Sequence, residues 1–379
     1  MADCQVVFRF GELFSGAGGL SCGALGAAAN LAAVHHQLVH AWAADYDPWA
    51  CATYRRNICP STPETVICDD VRRMDGEGRL SPEALGPADA LAFGFPCNDF
   101  SVVGERRGIH GEFGPLYTYC VKALNRFRPR FFIAENVGGI RSANDGRAFA
   151  RILSELRQAG DGYRLTAHLY RAEQYGVPQA RARVIIVGIA RDAGRVFHVP
   201  APTTADCPPT AREALEIPPL PDDAPNHERA AQSVRVIERL RHIRPGENAW
   251  TADLPPDLRL NVKGARLSQI YRRLDPDRPA YTVTGSGGGG THVYHWAQPR
   301  ALTNRERARL QTFPDDFVFL GPREAVRRQI GMAVPPRLAA AVVSAILRTF
   351  ADIPYPSVPA NIDAGPPGPQ LPLSDLLPS

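Results

Sequence analysis

An apolar strand that runs directly into a glycine-rich turn and an alanine-rich helix opens this chain. VVFRFGELF (6–14) has the composition of a short buried strand, and SGAGGL (15–20) supplies the turn. Gly16, Gly18 and Gly19 allow positive φ and a close approach of a ligand, and the following helix points its free N–H groups at whatever binds there. The spacing is not GxGxxG, and no P-loop lysine follows. This feature predicts an α/β unit with a binding crevice at the end of its first strand.

Strand and helix patterns alternate from Val6 to Ile189 and end in the strand-like RVIIVGI (183–189). This alternation predicts a doubly wound α/β domain, in which the carboxyl ends of the strands line one crevice. Asp45 follows the second strand and Asp70 the third. Alone, each aspartate would be typical of a turn or a helix cap. In order behind a glycine turn, they predict a nucleoside ligand, with Asp45 at the ribose and Asp70 near an adenine.

A cysteine and a carboxylic acid are predicted to face the same crevice. In GFPCNDFS (94–101), Pro96 fixes its own φ and favours extended geometry for Phe95, so the chain leaves a strand and turns at Cys97. A free cysteine alone is more often a small core residue. The apolar strand of FFIAENVGGI (131–140), however, delivers Glu135 to the same sheet edge, where burial would raise the pKa of its carboxyl group.

Blocks of sequence along the chain resemble a known family. In chain order they are ELFSGAGG (12–19), GFPCNDFS (94–101), AENV (134–137), QARAR (179–183) and QIGMAVPPRLA (329–339). They resemble the signature blocks of the DNA (cytosine-5) methyltransferases, over residues 1 to about 350 apart from a variable stretch between about 195 and 265. The resemblance implies a doubly wound class I S-adenosylmethionine-dependent methyltransferase domain with a second, smaller target-recognition domain.

The resemblance also implies catalytic roles. Cys97 matches the thiolate that adds to carbon 6 of a cytosine turned out of the duplex, which makes carbon 5 nucleophilic. Glu135 matches the acid that stabilises charge at N3. Arg183 and Arg181 match arginines near the cytosine carbonyl and the backbone around it. The base that removes the C5 proton is not identified by the sequence.

S-adenosylmethionine is the cofactor that the resemblance implies. The matching positions are Phe14, Gly16 and Gly18 in the cofactor loop, Asp45 at the ribose, Asp70 at the adenine, and Leu116 in the pocket lining. Three positions depart from the family pattern: Asp45 where many relatives carry glutamate, Met332 where asparagine is common, and Asn98 where glutamine is commonest.

The domain division follows from the same patterns. We expect residues 1–190 with about 325–350 to form the catalytic and cofactor-binding domain, and about 191–324 to form the target-recognition lobe with its supporting segments. Thr303 and Glu306 form a capping-box pattern for the helix that follows, and a helix over 336–350 is expected to fold back beside the first glycine turn. The proline-rich tail, 352–379, is predicted to be disordered.

Arginine supplies 41 of the 43 basic residues, and it is dense between 235 and 328. We expect this region to present a basic face to the phosphates of double-stranded DNA. The arginines concerned are Arg235, Arg239, Arg241, Arg244, Arg266, Arg272, Arg273, Arg305, Arg307, Arg309, Arg327 and Arg328.

The eight cysteines form no CxxC pair and have no histidine at ligand spacing, so no structural metal site is expected. No secretory signal opens the sequence and no apolar run suggests a membrane span, which favours a cytoplasmic protein with reduced thiols. We expect a monomer that forms no stable complex with any cognate restriction endonuclease encoded nearby.

Alternatives remain at the level of sequence. The same fold acts on tRNA in some relatives, but the Cys-Phe-Thr that is characteristic of those relatives near the recognition region is absent here. A catalytically silent DNA-binding homologue is disfavoured by the intact Cys97, Glu135 and Arg183. A dinucleotide dehydrogenase is excluded because the glycine spacing is wrong for it. We expect the modification enzyme of a bacterial restriction-modification system, and a solitary equivalent stays open.

Overall fold

A twisted sheet of seven strands organises the fold in the computed structural model, which describes residues 6–30, 36–96, 116–261, 269–287 and 290–365. The strands of this sheet are β1 (Val6–Leu13), β2 (His36–Asp45), β3 (Val66–Cys68), β4 (Ala90–Phe93), β5 (Phe131–Val137), β6 (Tyr163–Arg171) and β8 (Ala182–Ala190). Their spatial order is β3-β2-β1-β4-β5-β8-β6. Short two-residue strands are β7 (Gln179–Ala180), β9 (Val199–Pro200), β10 (Ala280–Tyr281) and β11 (Ser357–Val358).

The strands from β1 to β5 pair in parallel, which confirms the doubly wound α/β prediction. β8 runs antiparallel to both of its neighbours, β5 and β6, and the alternation of patterns did not foresee that insertion. The order of the sheet reverses between β1 and β4. In open α/β sheets such a reversal opens a crevice outside the carboxyl ends of the two strands, and the site lies there.

Helices cover both faces of the sheet. They are α1 (Gly19–Asn30), α2 (Pro48–Asn57), α3 (Val71–Gly76), α4 (Pro82–Leu85), α5 (Tyr117–Phe127), α6 (Arg147–Gln158), α7 (Ala211–Glu216), α8 (Val234–Arg241), α9 (Asn304–Leu310), α10 (Arg323–Met332) and α11 (Pro336–Phe350). Phe131 and Phe132, adjacent on β5, are both fully buried, one in the core beneath α1 and α11 and the other in the core beneath α5 and α6. Strands covered on both faces read as continuous apolar runs, as β4 and β5 do.

Close contact between α1 and α11 places the C-terminal helix beside the glycine turn, as predicted. A Cβ on Gly23 would lie 2.1 Å from the carbonyl oxygen of Pro336, and one on Gly19 would lie 2.5 Å from that of Val334. Glycine at these two positions is therefore a condition of the helix packing. By composition, Arg323–Phe350 is long and apolar enough to cross a membrane, contrary to the sequence-based expectation, but 67% of its apolar window is buried inside the fold.

The segment between β9 and α9 has small cores of its own. One cluster lies around Leu215, Leu274 and Trp296, and another around Leu240 and Tyr294. The capping box of α9 is present as predicted: Thr303 accepts from the backbone N–H of Glu306, whose side chain accepts from that of Thr303.

The C-terminal segment departs from the expected disorder. Ser357–Val358 pairs with β9, and the side chain of Asn361 accepts a hydrogen bond from Leu169 N at 2.7 Å on β6, the outermost strand. Ile362 packs against the core and bridges to Ala167. The prediction is therefore wrong for 353–365, because the edge of β6 provides backbone partners that a proline-rich composition does not reveal.

Candidate active site

One cleft lies at the carboxyl ends of β1 and β4 and joins the two halves of the predicted site. Asp45 stands on one side of it and Glu135 on the other. The wall is formed by Glu12, Phe14, Ser15, Gly16, Ala17, Gly19, Leu20, Asp45, Tyr46, Asp47, Ala50, Gly94, Pro96, Glu135, Arg328, Gln329, Met332, Ala333 and Val334. The glycine turn and the predicted catalytic acid, 119 positions apart in the chain from Gly16 to Glu135, therefore share a single pocket.

The Asp45 carboxylate is held against the glycine turn. Its Oδ2 accepts a hydrogen bond from Gly16 N at 2.8 Å, and its Oδ1 accepts one from Asp47 N at 2.9 Å. Burial raises the pKa of Asp45, and these backbone donors oppose that effect. Gly16 has a φ of 54°, and a Cβ there would meet no atom within 4 Å, so its outer side faces open space in the cleft. Phe14, with a φ of 56°, lines the same turn.

Three predicted cofactor residues do not reach the wall of the cleft. Gly18 has a φ of 86°, and a Cβ there would lie 2.8 Å from Ile58 and 2.9 Å from Tyr54, so this glycine serves packing onto α2. Asp70 caps α3 and forms a 2.6 Å ion pair with Arg72. Leu116 is buried in the core at the start of α5. The geometry of the cleft gives no support to ligand contacts by Gly18, Asp70 or Leu116.

Glu135 lines the cleft at the end of β5 and is 9% exposed. Its Oε1 lies 2.9 Å from Arg183 Nε, and its Oε2 would lie 3.2 Å from a Cβ on Gly94. Burial raises the pKa of Glu135, while the charges of Arg183 and Arg181 act in the opposite direction. The acid is therefore anchored through one oxygen, and its other oxygen faces the turn after β4.

Asn136 ties this turn to β5. Its side-chain amide donates a hydrogen bond to the Phe95 carbonyl at 3.1 Å, and its side-chain oxygen accepts one from Val137 N at 2.9 Å. Pro96 lines the cleft together with Glu135. The predicted nucleophile, Cys97, lies outside the described residues.

The guanidinium group of Arg181 is buried and bonds to backbone carbonyl oxygens. It is 1% exposed, and its guanidinium donates to the carbonyl oxygens of Val283 at 3.0 Å, Gly331 at 2.9 Å and Ala333 at 3.0 Å. Burial lowers the pKa of Arg181. The role that the resemblance implies for Arg181, near the cytosine carbonyl and the backbone around it, stays a prediction. In the structure this side chain links β7 and β8 to α10 through backbone carbonyl oxygens.

Sequence reasoning missed several polar groups of the cleft. Tyr46, between the two aspartates, is 67% exposed and offers an aromatic face. Arg328 forms a 2.9 Å ion pair with Asp47. Ser15 Oγ and Gln329 Oε1 are buried without a hydrogen-bond partner among the described residues. An aromatic face, a carboxylate held by backbone N–H groups and unpaired polar atoms at one pocket fit a nucleoside with a polar tail, as S-adenosylmethionine has.

Glu12 lies at the floor of the same cleft and was also missed, although it begins the first sequence block. Its carboxyl group accepts hydrogen bonds from Ser21 Oγ and, at 3.2 Å, from Tyr54 Oη. Burial, the largest influence, raises the pKa of Glu12 to about 8. The sequence signal that could have identified Glu12 is an acid at the end of a buried strand, directly before a glycine turn.

Five of the arginines expected on a basic face are buried: Arg239, Arg273, Arg305, Arg307 and Arg309. Arg273 donates to four carbonyl oxygens, those of His295, Leu240, Ile243 and Trp296, and Arg305 donates to three. Arg309 pairs with Asp315 at 2.6 Å, and Arg239 stacks on Tyr271. Their positions show that much of the arginine density supports the chain between β9 and α10. Arg266 lies outside the described residues.

Comparison with known proteins agrees with this geometry. The family model of the C-5 cytosine-specific DNA methylases matches residues 8–348. The Type II methyltransferase M.BbvI of Brevibacillus brevis is 56% identical over 359 residues, which cover 94% of this chain and 95% of that protein. M.NgoFVII of Neisseria gonorrhoeae is 38% identical over 346 residues, 90% of this chain and 87% of that protein. A solved structure described as a prophage-encoded DNA modification methyltransferase of E. coli has a TM-score of 0.67 at 22% identity, covering 90% of this chain and 99% of that one.

The fold is that of a methyltransferase with a Rossmann-like sheet. More particularly, the chain belongs to the C-5 cytosine-specific DNA methylase family and is a DNA (cytosine-5-)-methyltransferase. The expectation drawn from the sequence blocks is confirmed.

Proposed function

We propose that this enzyme transfers a methyl group from S-adenosylmethionine to carbon 5 of a flipped-out cytosine in a specific duplex DNA sequence. The observation that carries the proposal is the single cleft with Asp45 and Glu135 on its two sides. Such a cleft can hold a nucleoside cofactor and a target base together. When bound, S-adenosylmethionine supplies an electrophilic methyl group on a charged sulfur.

Phe14, Gly16, Asp45 and Tyr46 would hold the cofactor. The Asp45 carboxylate is already oriented by Gly16 N and Asp47 N, which leaves its remaining lone pairs for ribose hydroxyls. Tyr46 would stack on the adenine. Ser15 Oγ and Gln329 Oε1, which are buried without a partner among the described residues, would bond to polar groups of the methionine portion. Asp70, Gly18 and Leu116 would support the residues that hold the cofactor and would not contact it themselves.

The base side of the cleft supports covalent catalysis. Cys97, one residue beyond Pro96, adds as a thiolate to carbon 6, and the ring gains electron density at N3 and carbon 5. Glu135 donates a proton or hydrogen bond at N3, which its burial favours by keeping the carboxyl group protonated more readily. After transfer, loss of the C5 proton allows Cys97 to leave by elimination. Arg183 fixes the orientation of Glu135 and lies near the base; Arg181 positions β8 and α10.

The substrate is proposed to be double-stranded DNA read by the lobe at about 191–324, whose separate small cores support a unit distinct from the sheet. Extruding a base costs a few kcal/mol, which contacts in the pocket offset. The Type II names of the relatives support a role in restriction-modification. We further propose a cytoplasmic monomer that forms no stable complex with its endonuclease.

Bisulfite sequencing of a plasmid from cells expressing this chain tests the function directly. We expect protection of cytosines at one recurring sequence, absent with a Glu135→Ala variant. Protection of no plasmid cytosine, together with modification of tRNA in the same cells, would contradict DNA as the substrate.

A further inference from the structure

Two arginines and a histidine meet beside the cleft, where α9, α10 and the glycine segment 285–287 come together. Arg307 NH2 lies 3.5 Å from His292 Nδ1. A Cβ on Gly287 would lie 3.2 Å from Arg327 Nε and from His292 Nδ1. The next residue of α10, Arg328, lines the cleft itself. The cluster therefore lies at the rim of the cleft, next to Arg328.

This cluster differs from the other buried arginines in its lack of partners. Arg307 is 2% exposed, and the contact with His292 is the one hydrogen bond of its side chain within the described part of the chain. Arg327 Nε is buried and unpartnered among these residues, and the ion pair of Arg327 is a 3.9 Å contact with Glu324, whose side chain is 84% exposed. By contrast, Arg305 reaches three carbonyl oxygens, at distances from 2.6 to 2.9 Å.

The charges of the cluster oppose one another. Burial and the charge of Arg327 lower the pKa of Arg307 to about 10, which still leaves the Arg307 guanidinium charged at neutral pH. Burial and the arginine charges lower the pKa of His292 to about 4, so its ring is neutral there. Like charges held close together in a partly buried place are unfavourable without a counter-ion. Such an arrangement is stabilised when an anion enters.

The glycine segment keeps this place accessible. Gly285 packs on α10, where a Cβ would lie 3.1 Å from Arg328 O, and Gly287 leaves no side chain between solvent and Arg327. Guanidinium groups bind phosphate oxygens through paired N–H donors, and a backbone without side chains lets a bulky polyanion come near.

We propose that Arg307 and Arg327 bind a backbone phosphate of the DNA substrate at the rim of the cleft. This inference rests on the proposed function, since it takes DNA as the ligand. The phosphate would hold the strand from which the target base is extruded, and it would contribute equally to cognate and non-cognate duplexes.

Replacement of the partly exposed member, Arg327→Met, tests the site. We expect the slope of log K against log salt for a short duplex to become shallower by about 0.9, since one phosphate contact is lost. Affinity should fall by a similar factor for cognate and random duplexes. Arg164→Met, which removes an exposed charge on β6, is the matched control and should leave the slope unchanged.

Thermal unfolding with inorganic phosphate supplies a readout that does not need DNA. Phosphate should raise the Tm of the wild type more than that of Arg327→Met, and without phosphate the variant should be at least as stable, because repulsion is relieved. A wild-type salt slope in a folded Arg327→Met variant would overturn the inference. If the wild type binds no duplex but phosphate still raises its Tm through Arg327, the phosphate site stands and the proposed function fails.

Discussion

Glu135 Oε1 lies 2.9 Å from Arg183 Nε, in a place where both side chains are almost fully buried. The pair sets two opposing influences on one acid: burial favours its protonated form and Arg183 favours its charged form. Glu135→Gln keeps the shape of the side chain but cannot transfer a proton. We expect it to slow the chemical step by about 100-fold or more, with little effect on cofactor affinity. Single-turnover methylation measures the chemical step, and cofactor titration measures the cofactor affinity. A change confined to cofactor affinity would argue against a role at N3.

The same pair predicts a shift of the pH profile. Arg183 lowers the pKa of Glu135, so its removal in Arg183→Met should raise that pKa. If the protonated acid is needed, the fall in single-turnover rate on the alkaline side should move to higher pH in this variant. A profile that keeps its wild-type position, at whatever lower rate, would contradict protonated Glu135 as the donor.

Asn136 holds the turn after β4 through its hydrogen bond to the Phe95 carbonyl. Asn136→Ala removes this bond, and we expect a loss of about 1 kcal/mol of stability together with a clear fall in kcat. Asn361→Ala is the control, since it also removes side-chain bonds to backbone, but on β6. The control should lose stability without losing kcat in enzyme that remains folded. Equal loss of kcat in both variants would mean that the hydrogen bond of Asn136 does not position the turn for catalysis.

Substitution of two glycines in the first turn should have different effects. Gly18→Ala strains a positive φ and also clashes with Tyr54 and Ile58, so it should lower the free energy of unfolding by more than the ~1–2 kcal/mol of backbone strain alone. Gly16→Ala meets no protein atom but places a methyl group in the cleft, so it should weaken cofactor binding more. Denaturant unfolding and calorimetric titration with S-adenosylmethionine measure both effects. The reverse ranking would disprove the assignment of Gly16 to the ligand.

The buried acid Glu12 makes stability depend on pH. Its pKa is raised to about 8 in the folded protein, from 4.5. Between these values the folded state binds the extra proton, so the contribution of Glu12 to stability is full below about pH 4.5 and is lost as pH rises towards 8. Glu12→Gln should therefore gain stability relative to wild type between pH 5.5 and 8. A difference between the two proteins that stays constant across this range would show that Glu12 does not titrate there.

The parts of this fold that local patterns determine were predictable. The apolar run of β5, the capping box of α9 and the helix from Pro336 to Phe350 follow from period, cap and composition. The antiparallel insertion of β8 did not follow from these patterns, because it depends on pairing between distant strands.

The contacts of individual side chains were less predictable than the helices and strands. Arg181 and Arg183 are two positions apart, yet one satisfies backbone carbonyls and the other pairs with Glu135. Which arginine meets a carboxylate depends on loops that sequence spacing does not place. Asp70 likewise follows a strand as expected but is engaged by Arg72. Glu12 was missed because its importance comes from burial by α1 and α2, which its own neighbours do not display.

Trapping with duplex DNA that carries 5-fluorocytosine at the methylated position tests the central claim most directly. Fluorine cannot leave as a proton does, so covalent addition should leave a stable complex of protein and DNA on a denaturing gel in the presence of S-adenosylmethionine. We expect the adduct to map to Cys97 and to be absent in Cys97→Ser. No adduct in wild-type enzyme with cofactor demonstrably bound, or an adduct at another residue, would contradict the account.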